Sequence, residues 1–476
     1  MKKIPILLSC LFILHPWTAH ASLSADQIQS EVELLQGNSD DSGLDWAMIV
    51  QDAETGEVLY SKDPQLLLNP ASNTKILTTL AALSYLGPDF HFKNQLIGEG
   101  GGSGGHWTSL TLKGFGDPTF TTERLEDMVR GLKAKGVRQI DELRIDTSYF
   151  DSEDFPGRFE GRQREALFNT GVGALVLDHN LMEVVVTPGE KLGERAMVSL
   201  NPPIEDFSCE GEVTTGGRRS SVSLHKGGDP QVGLGIKVNG SIPLKAAPQI
   251  YKLSCDEPGQ LAGMRLVDLL KKNGIQAPAD YKLAAAPKKG KLLVEDQSPP
   301  LSEVLPMINK KSDNFMAEQL AKVLGAQYGG APGTTKKGTQ AVLRELNATG
   351  IDTKGVVMQN GSGLSRETRV KVKTLADVLQ KAYLNGRLRK DFISSLSVLG
   401  VDGTLRKRFR NSNLAGRFVG KTGTLTGVTA LSGYAFPDSA EGEHALIFSY
   451  IINGSGKGFW QKKQLMTDLL QFLIEH

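Results

Sequence analysis

Three short runs carry the residues best suited to covalent chemistry. The first is Ser72-Asn73-Thr74-Lys75, a hydroxyl and an amine three positions apart at the head of an apolar stretch that reads as a helix to Leu86. Positions i and i+3 share a helix face, so the Lys75 amine can stand beside the Ser72 hydroxyl. A lysine partly desolvated near other cations gives up its proton and can act as base for a serine nucleophile. A helix start also directs backbone N–H groups at any oxyanion formed there. The spacing alone is common. Ser223-Leu224-His225-Lys226 repeats it, but in an alternating strand, where i and i+3 face opposite sides.

Ser312-Asp313-Asn314 follows Lys310-Lys311 in a turn and starts a second helix. It offers a hydroxyl to relay a proton and an amide to hold a peptide carbonyl. Lys421-Thr422-Gly423-Thr424 falls on a strand, pairing a cation and a hydroxyl for a carboxylate with a glycine that allows close backbone approach. Each has a plain structural alternative, a capping turn for one and an ordinary strand end for the other. Ser199-Leu200-Asn201 copies the second run but leads into two prolines and lacks the helix. All three runs in one order and context point to a serine nucleophile that needs no histidine.

Other chemistries find little footing. Of the eight histidines, His15 and His20 sit in the leader, and His91, His106, His179, His225, His444 and His476 form no HExxH or close pair. No metal or other cofactor is expected, and no G-x-S-x-G elbow supports a Ser-His-Asp triad. The glycine-rich run from Gly98 to Gly105 precedes a strand at Trp107 to Lys113 rather than a helix, so it reads as a hairpin tip and not a phosphate loop. The 54 Lys+Arg and 53 Asp+Glu nearly cancel, leaving no field to attract nucleic acid or an anionic membrane.

The elements that must position these residues can be read around them. Lys2 and Lys3, the apolar stretch Ile4 to Leu14, and Ala19-His20-Ala21 form a cleavable export leader over residues 1–21. It is too short to remain as a membrane anchor. The competing lipoprotein reading at Cys10 leaves too few apolar residues before the cysteine. Export of a chain with Cys209 and Cys255 suggests one disulfide between them, two buried thiols being the alternative. Ser24 to Gln27 reads as a capping box, Trp46 to Lys62 as a β-hairpin, and the texture turns to short strands from about residue 93. Near Pro299-Pro300 helices return, at Leu301 to Ile308, Asp313 to Leu324 and Thr335 to Leu346. Strands at 417–424, 428–436 and 445–452 and a closing helix at 459–474 follow. The expectation is a discontinuous α+β domain, residues 22–92 with 296–476, interrupted by a β-rich insertion at 93–295.

With these residues in place, the chain resembles the penicillin-recognising serine enzymes, whose motifs are S-x-x-K, S-x-N and K-T-G. Ser72 and Ser312 are 240 residues apart, far more than a simple β-lactamase domain uses. That insertion resembles the class C low-molecular-mass penicillin-binding proteins, the D-alanyl-D-alanine carboxypeptidase/endopeptidase family S13. Gly114-Phe115-Gly116-Asp117-Pro118, Asp146 to Phe150, Gly361 to Arg366 and Gly403-Thr404-Leu405 match as well.

The resemblance implies an antiparallel sheet with helices on both faces. It implies Ser72 as nucleophile, Lys75 as its base and Ser312 as proton relay. Asn314 would hold substrate and Lys75, while Lys421 and Thr422 meet the terminal carboxylate. Gly423 allows close approach, and the N–H groups of Ser72 and Thr424 form the oxyanion hole. Arg366 would grip a carboxylate on the peptide's third residue, unless it is spent on a salt bridge within its loop. Phe168 belongs to a stretch where the insertion leans over the cleft, with Glu160 and Glu165 as candidate partners for a substrate amine. The implied partners are peptidoglycan peptides and β-lactam antibiotics as covalent inhibitors; a homodimer is left open. Two rivals are a serine β-lactamase and a catalytically silent peptidoglycan-binding protein. The lactamase E-x-x-L-N motif is approached only by Leu343-Arg344-Glu345-Leu346-Asn347, which has Leu where the base should stand.

Overall fold

The strand Leu44–Asp52 carries apolar side chains on both faces, and the two sets belong to different cores. Trp46, Met48 and Val50 enter one apolar cluster, while Ala47 and Ile49 enter another. A strand covered on both sides in this way sits inside a layered sheet. The computed structural model describes residues 23–37, 42–155, 170–203, 208–227, 235–255, 257–437 and 444–476. The sheet has six strands in the order Ser397–Val398, Phe418–Leu425, Val428–Ala435, Leu446–Gly454, Leu44–Asp52 and Val58–Lys62. All neighbours are antiparallel, and Leu44–Asp52 pairs residue for residue with Leu446–Gly454. The early hairpin is thereby completed by strands from the far end of the chain.

The helices Ala25–Gln36 and Lys457–Glu475 cover one face. The first opens with the expected capping box, Ser24 and Gln27 exchanging bonds with each other's backbone. The other face carries Thr74–Leu86, Leu301–Lys310, Asn314–Gly329, Thr335–Ala348, Val372–Leu384 and Arg389–Ser395. Thr74–Leu86 is the central one, buried from Thr74 to Leu83. A helix apolar all round belongs in a core, which fixes whatever its first turn presents. Among the described residues no helix is long and apolar enough to cross a membrane.

While Phe150, Val172, Ala174 and Val176 join the cluster under the central helix, a third cluster gathers most of the buried apolar residues of the intervening stretch. Its five-stranded sheet runs Lys282–Leu283, Leu143–Asp146, Ser109–Gly114, Lys93–Glu99 and Lys291–Gln297, packed with the helices Thr122–Ala134 and Gln260–Lys272. Lys93–Glu99 and Lys291–Gln297 are antiparallel neighbours, so the chain enters and leaves this part side by side. The glycine-rich run does form the tip between Lys93–Glu99 and Ser109–Gly114, with Gly100, Gly104 and Gly105 all at positive φ. Among the described residues, two three-stranded sheets and the parallel pair His106–Trp107 and Gln139–Ile140 complete the region. One of the three-stranded sheets includes Ser223–Gly227 and Gly235–Ile242 as antiparallel neighbours.

One expectation is corrected. Cys209 and Cys255 are thiols here, with no disulfide between them. Cys209 lies on Ser208–Thr215, whereas Cys255 follows Gln249–Ser254 in the other three-stranded sheet. An even cysteine count says nothing about whether two sheets bring the pair together.

Candidate active site

Ser72 sits in a 3₁₀ turn, Ala71–Asn73, and the α-helix proper begins at Thr74. The sequence reading started that helix at Ser72; the difference is one tight turn with a local cause. Asn69 Oδ1 accepts the Ala71 N–H at 2.8 Å, and the Thr74 hydroxyl donates to the Ala71 carbonyl at 2.8 Å. Between these bonds Ala71 is held at φ 46°, and Ser312 likewise stands at φ 57°. A left-handed non-glycine residue costs roughly 1–3 kcal/mol and persists where its surroundings over-determine it. Both cases lie within or beside a chemical motif.

Two glycines let the turn seat against its neighbours. A Cβ on Gly423 would run into the Pro70 carbonyl and approach the Ala71 Cβ to 3.2 Å. One on Gly363, at φ +83°, would collide with the Ala71 carbonyl. The turn is thus wedged between the strand Phe418–Leu425 and the loop around Ser362. The sheet also anchors it, since Asn73 Nδ2 donates to Ser432 Oγ at 2.8 Å.

The Lys75 side chain is fully buried. Its Nζ lies 3.2 Å from Ser72 Oγ, 2.7 Å from Asn314 Oδ1 and 2.8 Å from the Ser362 carbonyl. Burial brings the amine down to about 7, against the opposing pull of the Glu318 and Asp313 charges. It can therefore exchange a proton with Ser72 near neutral pH. Across the cleft Lys421, also fully buried, donates to Ser312 Oγ at 2.8 Å and to the Thr422 carbonyl at 2.9 Å. Burial, reinforced by the Lys75 charge, holds Lys421 well below the ordinary lysine range. Thr422 turns its hydroxyl to Thr404 Oγ1 at 2.8 Å, which draws the Gly403–Leu405 turn to the cleft edge.

Asp313 caps the helix Asn314–Gly329 by accepting the Met316 N–H at 2.9 Å. Burial would raise its carboxyl. Contact with His179 Nε2 at 3.3 Å, the Met316 bond and the Lys75 charge outweigh it and hold the group below its usual value. His179 comes from the inserted stretch and also packs on Phe315, with ring centroids 5.0 Å apart.

The three runs therefore meet at one point: Ser72, Lys75, Ser312, Asn314, Lys421 and Thr422 form a linked set, with Gly423 beside the nucleophile turn. Thr424 is the next residue on that strand, exposed at its outer end. Arg366 lies beyond it, exposed, and donates from Nη1 to the Thr426 carbonyl at 3.1 Å. Phe168, Glu160 and Glu165 lie outside the described residues. Sequence reasoning missed four participants: Glu318, Ser362, His179 and Thr404. Ser362 and Thr404 stood in stretches already matched to the family, which was a usable signal. Glu318 lies one turn past Asn314, so i+4 spacing could have flagged it. Nothing local marked His179. The lactamase-like stretch lies elsewhere, since Glu345 accepts from Ser84 at 2.6 Å, nine residues or about 13 Å along the helix from Lys75.

A sheet covered by helices on both faces, with these three motifs meeting at one strand, defines the β-lactamase-like class of penicillin-recognising serine enzymes. Within that class, the chain belongs to the D-Ala-D-Ala carboxypeptidase 3 (S13) family, whose model matches residues 30–474. It is 34% identical to a D-alanyl-D-alanine carboxypeptidase of Actinomadura sp. (strain R39), across 95% of this chain and 86% of that one. It is 27% identical to D-alanyl-D-alanine carboxypeptidase DacB of Haemophilus influenzae, across 90% of both. The crystal structure of penicillin binding protein 4 (dacB) from H. influenzae shares its fold. That structure gives a TM-score of 0.76 at 24% identity, over 95% of this chain and 100% of that one. The same protein complexed with a β-lactam gives a TM-score of 0.72. Membership makes this chain a serine-peptidase hydrolase of the D-Ala-D-Ala carboxypeptidase kind.

Proposed function

We propose that the chain is exported to the periplasm by its leader. There it removes the terminal D-alanine from peptidoglycan stem peptides and cleaves D-Ala-linked cross-links, in both cases through an acyl-enzyme on Ser72. The observation that carries this reading is the Lys75 amine, buried and brought to about 7, within 3.2 Å of Ser72 Oγ.

Ser72 Oγ attacks the carbonyl between the two D-residues while its proton passes to Lys75. The oxyanion would be met by the N–H groups of Ser72 and Thr424, which belong to the turn and the strand that Gly423 lets approach closely. The substrate's terminal carboxylate meets Lys421 and Thr422, and Asn314 holds the peptide from the other side. As the tetrahedral intermediate collapses the C–N bond breaks. The leaving amine takes up a proton through Ser312, leaving an ester on Ser72. Water, deprotonated by Lys75, then releases the shortened peptide. A β-lactam acylates the same serine, but its opened ring stays attached and obstructs the water.

Arg366 would grip a carboxylate on the third stem residue through bidentate hydrogen bonds, a reading supported by its exposure beside the motif strand. Residues 22–92 and 296–476 act as the catalytic unit, with 93–295 an insertion that reaches the site through His179. The test is digestion of purified peptidoglycan with resolution of the muropeptides. Loss of pentapeptides marks carboxypeptidase action and conversion of cross-linked dimers to monomers marks endopeptidase action. Absence of both changes would refute the proposal.

A further inference from the structure

Glu318 is a carboxylate with almost no exposure in the middle of a helix. Burying a charge there is costly unless it is fully bonded. Its bonds go to one place. Oε2 accepts the Gly361 N–H at 2.9 Å and Oε1 accepts the Ser362 N–H at 2.8 Å. Both oxygens act as acceptors, the pattern of the ionised form. Burial holds this carboxyl above its ordinary value, although the bonds from Ser362 and Gly361 and the Lys75 charge pull the other way. The Gly361 carbonyl also accepts the Thr78 hydroxyl at 2.8 Å. A Cβ on Gly361 would stand 2.6 Å from the Ala317 carbonyl, so glycine lets the loop reach the helix. The Gly361–Gly363 loop is thereby clamped between the two helices that carry Lys75 and Asn314.

The consequence falls on Lys75. Two of its three partners, Asn314 Oδ1 and the Ser362 carbonyl, can only accept hydrogen bonds. A neutral amine that donates to both has its lone pair left for the third partner, Ser72 Oγ. Asn314 and Glu318 are four residues apart on one helix face, so a single element fixes both acceptors, one directly and one through the loop.

We propose that Glu318 is a positioning residue for acylation: its grip on the Gly361 and Ser362 N–H groups aims the Ser362 carbonyl at Lys75 and turns the amine's lone pair toward Ser72. Its charge also sets the pH at which that lone pair is present. The charged groups acting on Lys75 are Glu318, Asp313 with its His179 contact, and Lys421 from the facing strand. The inference rests on Lys75 being the base.

The test is stopped-flow acylation of the full-length mature protein by a chromogenic β-lactam across pH 5 to 9, for wild type, Glu318→Gln and Glu318→Asp. Gln keeps the shape, removes the charge and offers one acceptor for two N–H groups. Its acylation plateau should fall on the order of 10²-fold, as expected of a displaced catalytic contact. Its acid limb should move down by about one pH unit, because losing a nearby negative charge disfavours the protonated amine. Asp keeps the charge on a shorter arm, so its plateau should fall at least tenfold while its acid limb stays with the wild type. A Gln limb at the wild-type pH, or an Asp plateau equal to wild type, overturns the proposal while leaving Lys75 as base. If Gln does not fold by circular dichroism, the Asp plateau decides. A wild-type profile with no ionisation near 7 overturns the base assignment itself, and this inference with it.

Discussion

Replacing Lys75 by arginine keeps a cation beside Ser72 but removes any means of losing its proton. With the amine brought to about 7 by burial, roughly 70% of it is neutral at pH 7.4, whereas an ordinary lysine near 10.4 would be about 0.1% neutral. Burial therefore enlarges the reactive fraction by nearly three orders of magnitude. The direction of the pH dependence follows. The protonated form is inactive, so acylation rises tenfold per unit below about 7 and levels above it. Guanidinium keeps its proton at any workable pH, and Lys75→Arg should lose on the order of 10³-fold in acylation at pH 7.4. Single-turnover acylation by a chromogenic cephalosporin from pH 5 to 9 measures both quantities, with a thermal melt to verify folding. An arginine variant that keeps more than about a tenth of the rate, with the wild-type profile, would refute the reasoning. Lys75 would then merely hold Ser72 in place.

Lys421 must keep its proton to meet a carboxylate, and burial beside Lys75 holds it well below the ordinary range. Peptide kcat/KM should therefore fall on the alkaline side too, giving a bell; a plateau extending to pH 10 contradicts this. Gly423→Ala drives a methyl into the Pro70 carbonyl and must shift the Ser72 turn. It should lower acylation at least 10²-fold while moving the melting temperature by only a few degrees. Cys209 and Cys255 should both take up iodoacetamide when the purified protein is denatured without reductant, as mass spectrometry of the two peptides would report; protection of both would restore the bridge.

What the sequence made legible was the order of the motifs and the layers around them. The β-hairpin from Trp46 to Lys62, the capping box at Ser24 and the glycine-rich hairpin tip follow local rules, and the structure keeps all three. The nucleophile run was readable because a hydroxyl and an amine at i and i+3 remain neighbours whether the turn is α or 3₁₀. The support of Lys75 was not. Glu318 sits in a helix that is buried from Phe315 to Ala326, where a lone acidic residue looks like an ordinary exposed position. Its partners lie more than forty residues away in a loop. His179 is equally hidden, because its approach to Asp313 depends on how the inserted stretch returns to the catalytic face. Tertiary packing decides these contacts, and no period or motif encodes them. The cysteine pair shows the converse: export and an even count favoured a bridge, but Cys209 lies in one sheet and Cys255 just past a strand of another.

The central claim is that Ser72 is acylated, with Lys75 taking its proton. The most direct measurement is intact-mass and peptide mapping of the mature protein after incubation with benzylpenicillin, for wild type and Ser72→Ala. The structure predicts one penicilloyl adduct per wild-type chain, carried by the peptide containing Ser72, and none on the variant. An adduct on another residue, or labelling of Ser72→Ala at a rate near wild type, would contradict it.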